Sequence, residues 1–221
     1  MTNKMREKIS IWQDVGAGER VAKSLQEDNI LITSTDTVLG FLANITERSY
    51  NSLNTIKGDR ENKPYVVLIE SIDRLKRFVD VDGLFDQNML NLLARCWPGP
   101  VTLVFKAKPG LPSFLVSPEG TIALRCPSHA GLRRLLRYFE GLFSTSANLS
   151  GKPMPTCVNE IPESIIEQIM YIVLDRDNNC LKTVSSTILD CSDVKKSGIR
   201  VVREGAYGVK ILEGYYGAQF K

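Results

Sequence analysis

The 221-residue sequence contains a single histidine. A metal site built on paired histidines is therefore excluded, and any Ser-His-Asp or Cys-His arrangement has only His129 to draw on. His129 follows Pro127 where a helix is expected to begin, so a cap or surface role is the first reading and a catalytic base the second. Close cysteine pairing is also missing: Cys96, Cys126, Cys157, Cys180 and Cys191 are scattered, with no C-x-x-C among them. An odd number of scattered cysteines predicts free thiols packed in the interior, in a reducing compartment. Nor does one sign of charge dominate. The 28 basic and 25 acidic residues leave +3 and a pI near 8.5, below the ~9 usual for a dedicated nucleic-acid domain. The longest apolar runs, such as Tyr65–Ile69, fall far short of the ~20 residues that cross a bilayer. The opening MTNKMREKISIW has no signal-peptide core. A cytoplasmic protein with no membrane partner is expected.

Two phosphate-binding signatures also fail. Gly16-Ala17-Gly18 lacks the third glycine of a dinucleotide fingerprint and has no strong strand before it, so it reads as the start of a helix. In the run SANLSGKP, Ser146 stands where a Walker loop needs its first glycine, and Pro153 where it needs a hydroxyl. The formal sequon Asn148-Leu149-Ser150 has no meaning in the cytosol.

What is present is ordinary globular composition, 43% hydrophobic and 24% charged, in alternating strand-like and helix-like stretches. Helices are predicted over 18–28, 47–57, 85–96, 130–140 and 161–170, with Ser71 capping a further short one. Strands are predicted over 30–33, 38–43, 65–69, 101–107, 121–126, 142–145, 171–174, 186–190 and 199–203. No repeat or linker interrupts this pattern, which predicts one α/β domain with a mixed, layered sheet. The segment after Gly205, rich in Gly and Tyr, is too short to fold alone; as a lid it would exclude water from a site.

Hydroxyl-rich segments recur at predicted strand ends: 33–37 (TSTDT), 144–148 (STSAN) and 185–187 (SST). Lys57, Arg60, Arg125 and Arg203 sit in comparable places. Singly, such segments are caps, turns and solvated rim. Together, at strand ends where open α/β sheets place ligands, they suit a phosphate-bearing substrate gripped at several oxygens.

In this order the segments resemble the YrdC-like threonylcarbamoyl-AMP synthases. The resemblance rests on Ser34-Thr35-Asp36-Thr37-Val38-Leu39-Gly40, then Ile56-Lys57-Gly58-Asp59-Arg60 with Lys63-Pro64, then Trp97-Pro98-Gly99-Pro100-Val101-Thr102. It continues through Ala123-Leu124-Arg125-Cys126-Pro127-Ser128-His129, Ser144-Thr145-Ser146-Ala147-Asn148-Leu149-Ser150-Gly151, Ser186-Thr187-Ile188-Leu189-Asp190 and Val202-Arg203-Glu204-Gly205. These motifs cover about residues 15–205 of one YrdC-like domain over 1–221, with a short tail over 206–221.

The resemblance implies a three-layer α/β single domain with a twisted mixed β-sheet. It implies a nucleotidyltransferase, an L-threonylcarbamoyladenylate synthase. L-threonine and bicarbonate would give N-carboxy-threonine, which attacks the α-phosphorus of ATP and releases pyrophosphate. The product would serve threonylcarbamoyladenosine modification of tRNA through a threonylcarbamoyl transferase complex. Mg²⁺ is expected with ATP, held by phosphate oxygens and waters rather than by protein metal ligands. The resemblance puts Thr35, Ser144, Asn148 and Ser186 on the threonine side. It puts Lys57, Arg60, Thr121, Ser146, Asn148 and Arg203 on ATP, with Lys57, Arg60 and Arg125 as the catalytic cations.

The sequence departs from the family at Ser34 (usually proline), Leu39 (often aromatic), Arg60 (one residue late), Leu68 (histidine in longer relatives) and Glu204 (usually proline). Two rival readings stand beside the synthase. One is a non-catalytic binder of double-stranded RNA or tRNA on the same fold, using Arg133, Arg134, Arg137, Lys195 and Lys196. The other is a paralogue acting on another substrate.

Overall fold

Local capping chemistry sets where the longer helices begin. Thr46 accepts the Ser49 N–H at 3.1 Å and Asp86 accepts that of Met89 at 2.8 Å, each satisfying a first-turn donor. The computed structural model describes residues 3–58, 64–81, 85–176 and 184–221. Its backbone divides into two compact units, Met1–Glu61 with His129–Thr183, and Asn62–Ser128 with Val184–Lys221.

The first unit contains, in chain order, α1 (Asn3–Lys8), β1 (Ile9–Ile11), α2 (Ala17–Gln26), β2 (Leu31–Thr33), β3 (Gly40–Asn44) and α3 (Glu47–Lys57). To the second belong β4 (Val66–Leu68), α4 (Leu75–Phe78), α5 (Gln87–Cys96), β5 (Val101–Lys106) and β6 (Thr121–Arg125). The chain then returns to the first unit with α6 (Ala130–Leu135), β7 (Leu142–Ser146), α7 (Glu163–Ile166) and β8 (Tyr171–Leu174). It ends in the second with β9 (Thr187–Asp190), α8 (Val194–Ser197), β10 (Arg200–Arg203) and α9 (Val209–Tyr216).

In the first unit five strands run in the order β1-β8-β2-β3-β7. The β1–β8 and β8–β2 pairs are parallel, and the β2–β3 and β3–β7 pairs antiparallel. Helix α2 lays Ala17, Val21, Ala22 and Leu25 inward, a stripe at the 3.6-residue period. Gly131 near the start of α6 lies against Trp12: a Cβ there would sit 2.6 Å from the indole ring. In the second unit the order is β4-β6-β5-β9-β10, with β4–β6 and β5–β9 parallel and β6–β5 and β9–β10 antiparallel. Helix α5 buries Met89, Leu92, Leu93 and Cys96. It ends at Trp97, whose peptide bond to Pro98 is cis.

Several expectations need correcting. Ser71 makes no side-chain cap bond. The predicted helix over 161–170 shrinks to the single turn α7: it starts from Pro162 as N-cap, and at its far end the Met170 N–H is drawn to the Ile30 carbonyl at 2.9 Å. The helix over 130–140 is α-helical to Leu135 and then tightens to a 3₁₀ turn over Leu136–Tyr138. Cysteines 96, 126 and 191 are free and buried, but Cys157 is disulfide-bonded, so the all-thiol expectation fails there. The segment after Gly205 does fold, by docking rather than alone. It forms α9, which packs on α5 with the Arg95 guanidinium 5.4 Å from the centre of the Tyr215 ring. Lys221 closes the segment by pairing with Ile199 and Val201 beside β10. No helix among the described residues is long and apolar enough to cross a membrane.

Candidate active site

In the first unit the site grows from the loop that leaves β2. Thr35 Oγ1 accepts the N–H groups of Thr37 (3.0 Å) and Val38 (3.1 Å) and donates to the Val38 carbonyl at 2.7 Å. This hydroxyl turn brings the chain round into β3. Gly40 then leaves room that a side chain would close: a Cβ there would lie 3.1 Å from the Thr145 carbonyl, 3.6 Å from Ser144 Oγ and 3.7 Å from the Thr35 methyl. Thr35 and Ser144 are thus brought to one point, with β3 and β7 in register from Gly40 opposite Ser146 to Asn44 opposite Leu142.

Lys57, the last residue of α3, is 3% exposed. Its ammonium donates to the Ser146 carbonyl (2.8 Å), the Asn148 carbonyl (2.7 Å) and Asn148 Oδ1 (3.1 Å), and lies 5.7 Å from the centre of the Phe41 ring. Asn148 Oδ1 also accepts from Ser146 Oγ at 2.5 Å, while its amide nitrogen donates to the Lys152 carbonyl at 2.5 Å. The Ser150 N–H returns to the Lys57 carbonyl at 2.8 Å. A buried cation is tolerated only where its donors are met, and here the Ser-Ala-Asn loop meets them.

In the second unit a separate group forms at one end of its sheet. Thr102 Oγ1 and Ser186 Oγ are 2.9 Å apart, and Arg203 donates to the Ser186 carbonyl from Nη2 (2.9 Å) and Nε (3.2 Å). Partial desolvation lowers the Arg203 pKa from its ordinary value and leaves it a cation, as arginine is at any working pH. Arg125, 7% exposed, donates from Nε to the Gly99 carbonyl at 3.3 Å. Leu103 opposes Leu124 across β5 and β6, so Thr102 and Arg125 share that sheet end. Thr121 does not join them. It opens β6, roughly 13 Å of strand away, and pairs its hydroxyl with Ser117 at 2.8 Å.

The structure therefore brings Thr35, Lys57, Ser144, Ser146 and Asn148 together in one unit, and Arg125, Ser186 and Arg203 together in the other. Arg60 lies outside the described residues. Sequence reasoning missed Thr102, although it closes the quoted Trp97–Thr102 motif. Its signal was a hydroxyl within the apolar run 101–105, and the structure buries it fully, in contact with Ser186.

No nucleophile–base pair emerges among these groups. His129 caps α6, accepting the Leu132 N–H on Nδ1 at 3.2 Å, and its Nε2 faces Asp175 Oδ2 at 2.8 Å. Burial pushes the Cys96 thiol up to about 12 and the Cys191 thiol up as well, so neither supplies a thiolate near neutrality. Hydroxyls, amides and cations can bind and orient a phosphate-bearing substrate and stabilise charge developing on it.

The family model Sua5_yciO_yrdC, described as Telomere recombination, matches residues 23–205, and the chain belongs to that family. A Methanocaldococcus jannaschii protein provisionally named a threonylcarbamoyl-AMP synthase is 29% identical over 195 residues, 88% of each chain. The threonylcarbamoyl-AMP synthase of Bacillus subtilis is 32% identical over 178 residues, 79% of this chain and 50% of its own. Among solved structures, Pyrococcus abyssi Sua5 complexed with L-threonine matches with a TM-score of 0.79 at 25% identity, over 92% of this chain and 58% of that one. Escherichia coli YciO shares the fold, with a TM-score of 0.74 at 21% identity over 87% of this chain and 91% of its own. The α/β class and mixed sheet expected from the sequence are those of these structures. The chain thus spans about half the length of the Bacillus relative and nearly all of the Methanocaldococcus one.

Proposed function

We propose that this chain makes L-threonylcarbamoyladenylate and pyrophosphate from L-threonine, bicarbonate and ATP. The observation that carries the reading is the Lys57–Ser146–Asn148 lattice standing beside Thr35 and Ser144, in a chain whose relatives bear the synthase name. In this reaction the threonine amine adds to bicarbonate and water departs, leaving a carbamate. A carbamate oxygen then attacks the α-phosphorus, the bond to the bridging oxygen breaks, and the electron pair leaves with pyrophosphate. The substrate supplies the nucleophile, so the protein has to position and stabilise rather than attack. That accounts for a site of hydroxyls and cations in which the one histidine is already engaged by Leu132 and Asp175.

Residue roles follow in the same reading. Thr35, Ser144 and Ser186 address threonine, Asn148 both substrates, and Ser146, Arg60 and Arg203 the nucleotide, while Thr121, held by Ser117 at the other end of β6, takes no part. Arg125 supplies a buried cation for the threonine carboxylate or the phosphates. Lys57 stands behind the Ser-Ala-Asn loop and fixes that loop's shape. Mg²⁺ arrives with ATP on phosphate oxygens and waters. The product passes in the cytoplasm to a transferase that modifies tRNA.

The test is pyrophosphate release in bicarbonate buffer with and without L-threonine. Release that requires both threonine and bicarbonate, and that Arg125→Ala abolishes, establishes the synthase. ATP binding without threonine-dependent release points to a paralogue with another acceptor. No ATP binding, with RNA binding that falls steeply with salt, leaves the RNA-binding reading.

A further inference from the structure

Within the first unit, a cavity of about 310 Å³ opens between the start of α2 and the face of α6. It shares no lining residue with Thr35, Lys57, Ser144, Ser146 or Asn148. Its wall on the α2 side is the Gly16–Gly18 segment, which the sequence reading set aside as a mere helix start. Trp12 lines it, packed against Gly131, and Tyr138, 69% exposed, lines it as well.

Three observations agree on what it would hold. Arg134 and Arg137 line it, and neither side chain has an ion pair or hydrogen bond among the described residues. The N–H groups of Gly18 and Glu19, in the first turn of the ten-residue α2, have no acceptor among the described residues, and the side-chain-free glycines leave that backbone open to an anion. An indole and a phenol ring line the same space, aromatic surface suited to a flat ring. Of the two carboxylates present, Asp14 is already paired with Arg176 at 3.2 Å, which leaves Glu19 as an acceptor suited to sugar hydroxyls. The volume lies at the small end of ordinary ligand sites, ~300–1,000 Å³, enough for one nucleotide.

We propose that this cavity binds a nucleoside 5′-monophosphate, its phosphate on Arg134, Arg137 and the α2 N-terminus and its base against Trp12 and Tyr138. The site is wired to the candidate active site. Trp12 Nε1 donates to Thr33 Oγ1 at 3.0 Å and that hydroxyl donates to the Ser34 carbonyl at 3.0 Å, one residue before Thr35.

Equilibrium dialysis of labelled AMP against the full chain tests the proposal, with Arg134→Ala/Arg137→Ala and Asn148→Ala as variants whose melting curves are checked. The expected result is an AMP site that weakens at least tenfold in the double arginine variant and persists in Asn148→Ala. Inorganic phosphate should bind at least tenfold more weakly than AMP. The proposal is overturned if the double variant matches the parent, if AMP binding disappears only in Asn148→Ala, or if phosphate alone binds as well as AMP. Neither set of outcomes depends on pyrophosphate release, so the synthase reading and this one can fail separately.

Discussion

The ammonium of Lys57 donates to the main-chain carbonyl of Asn148 at 2.7 Å, across 91 residues of sequence. The two residues brace each other: the cation is buried because the loop receives it, and the loop keeps its shape because the cation is there. Lys57→Met removes the donor and keeps most of the length. It should leave the Asn148 carbonyl without its donor, at about 1–3 kcal/mol if unmet, while the Ser146 carbonyl keeps the Asn148 N–H and Asn148 Oδ1 keeps Ser146 Oγ. The melting temperature therefore falls and threonine-dependent pyrophosphate release drops at least a hundredfold. Unchanged release with an unchanged melting curve would remove Lys57 from the site.

Ser34 stands where the family usually has proline, and here it is tied in. Its N–H donates to the Val173 carbonyl at 3.1 Å, and its Oγ accepts the Asp175 N–H at 3.4 Å. Ser34→Pro loses both bonds and should destabilise the protein by about 2 kcal/mol. Ser34→Ala, which loses only the long one, should cost under about 1 kcal/mol. Denaturant melts of the pair decide it; a neutral or stabilising proline would contradict this bonding.

Gly205 is hemmed in by backbone. A Cβ there would lie 2.2 Å from the Ser185 carbonyl oxygen. Gly205→Ala must push the Ser185–Ser186 segment away, and with it the oxygens that Arg203 holds. Overpacking of this kind costs about 1–3 kcal/mol, and the apparent KM for ATP or threonine should rise alongside. A thermal shift below one degree with unaltered kinetics would show that the segment yields freely.

Asp190 carries a pH signature. Burial pushes its carboxyl up, but the Ser192 hydroxyl and N–H and the Arg200 guanidinium together outweigh that and leave it below the ordinary aspartate range. With the folded pKa below the unfolded value of about 3.9, the stabilisation is present above about pH 4 and is lost as pH falls through the folded pKa. Asp190→Asn should therefore cost about 1 kcal/mol at pH 7, with the gap from the parent closing in acid below that value. A gap that stays constant from pH 7 to pH 3 would contradict the assignment.

Much of the fold was legible because its signals are local. The apolar stripe of α2, the Thr46 cap of α3 and the Pro98-Gly99-Pro100 stop after α5 all act within a few residues of themselves. His129 as a cap belongs to the same class. What escaped was fixed by distant partners. Strand β1 is three residues long and exists because it pairs with β8 over 160 positions later. Met170 leaves the helical path for Ile30. The candidate site divides in the same way. Motif order marked its hydroxyls and cations, but no pattern in the chain said that Lys57 would spend its donors on loop oxygens, or that Thr102 would meet Ser186.

The sole imidazole also makes the molecule its own probe. Because Nδ1 of His129 accepts from Leu132, the ring hydrogen sits on Nε2 facing Asp175. With one histidine in the sequence, a nitrogen spectrum of the side chain needs no assignment. Trp12 lies beside that ring, tilted by 57° with centroids 5.8 Å apart, so one resonance watches the Trp12 wall, the start of α6 and the end of β8 at once. Titrating any candidate ligand while following that single signal separates an event near Trp12 from one elsewhere, with no reporter group attached beyond isotopic nitrogen.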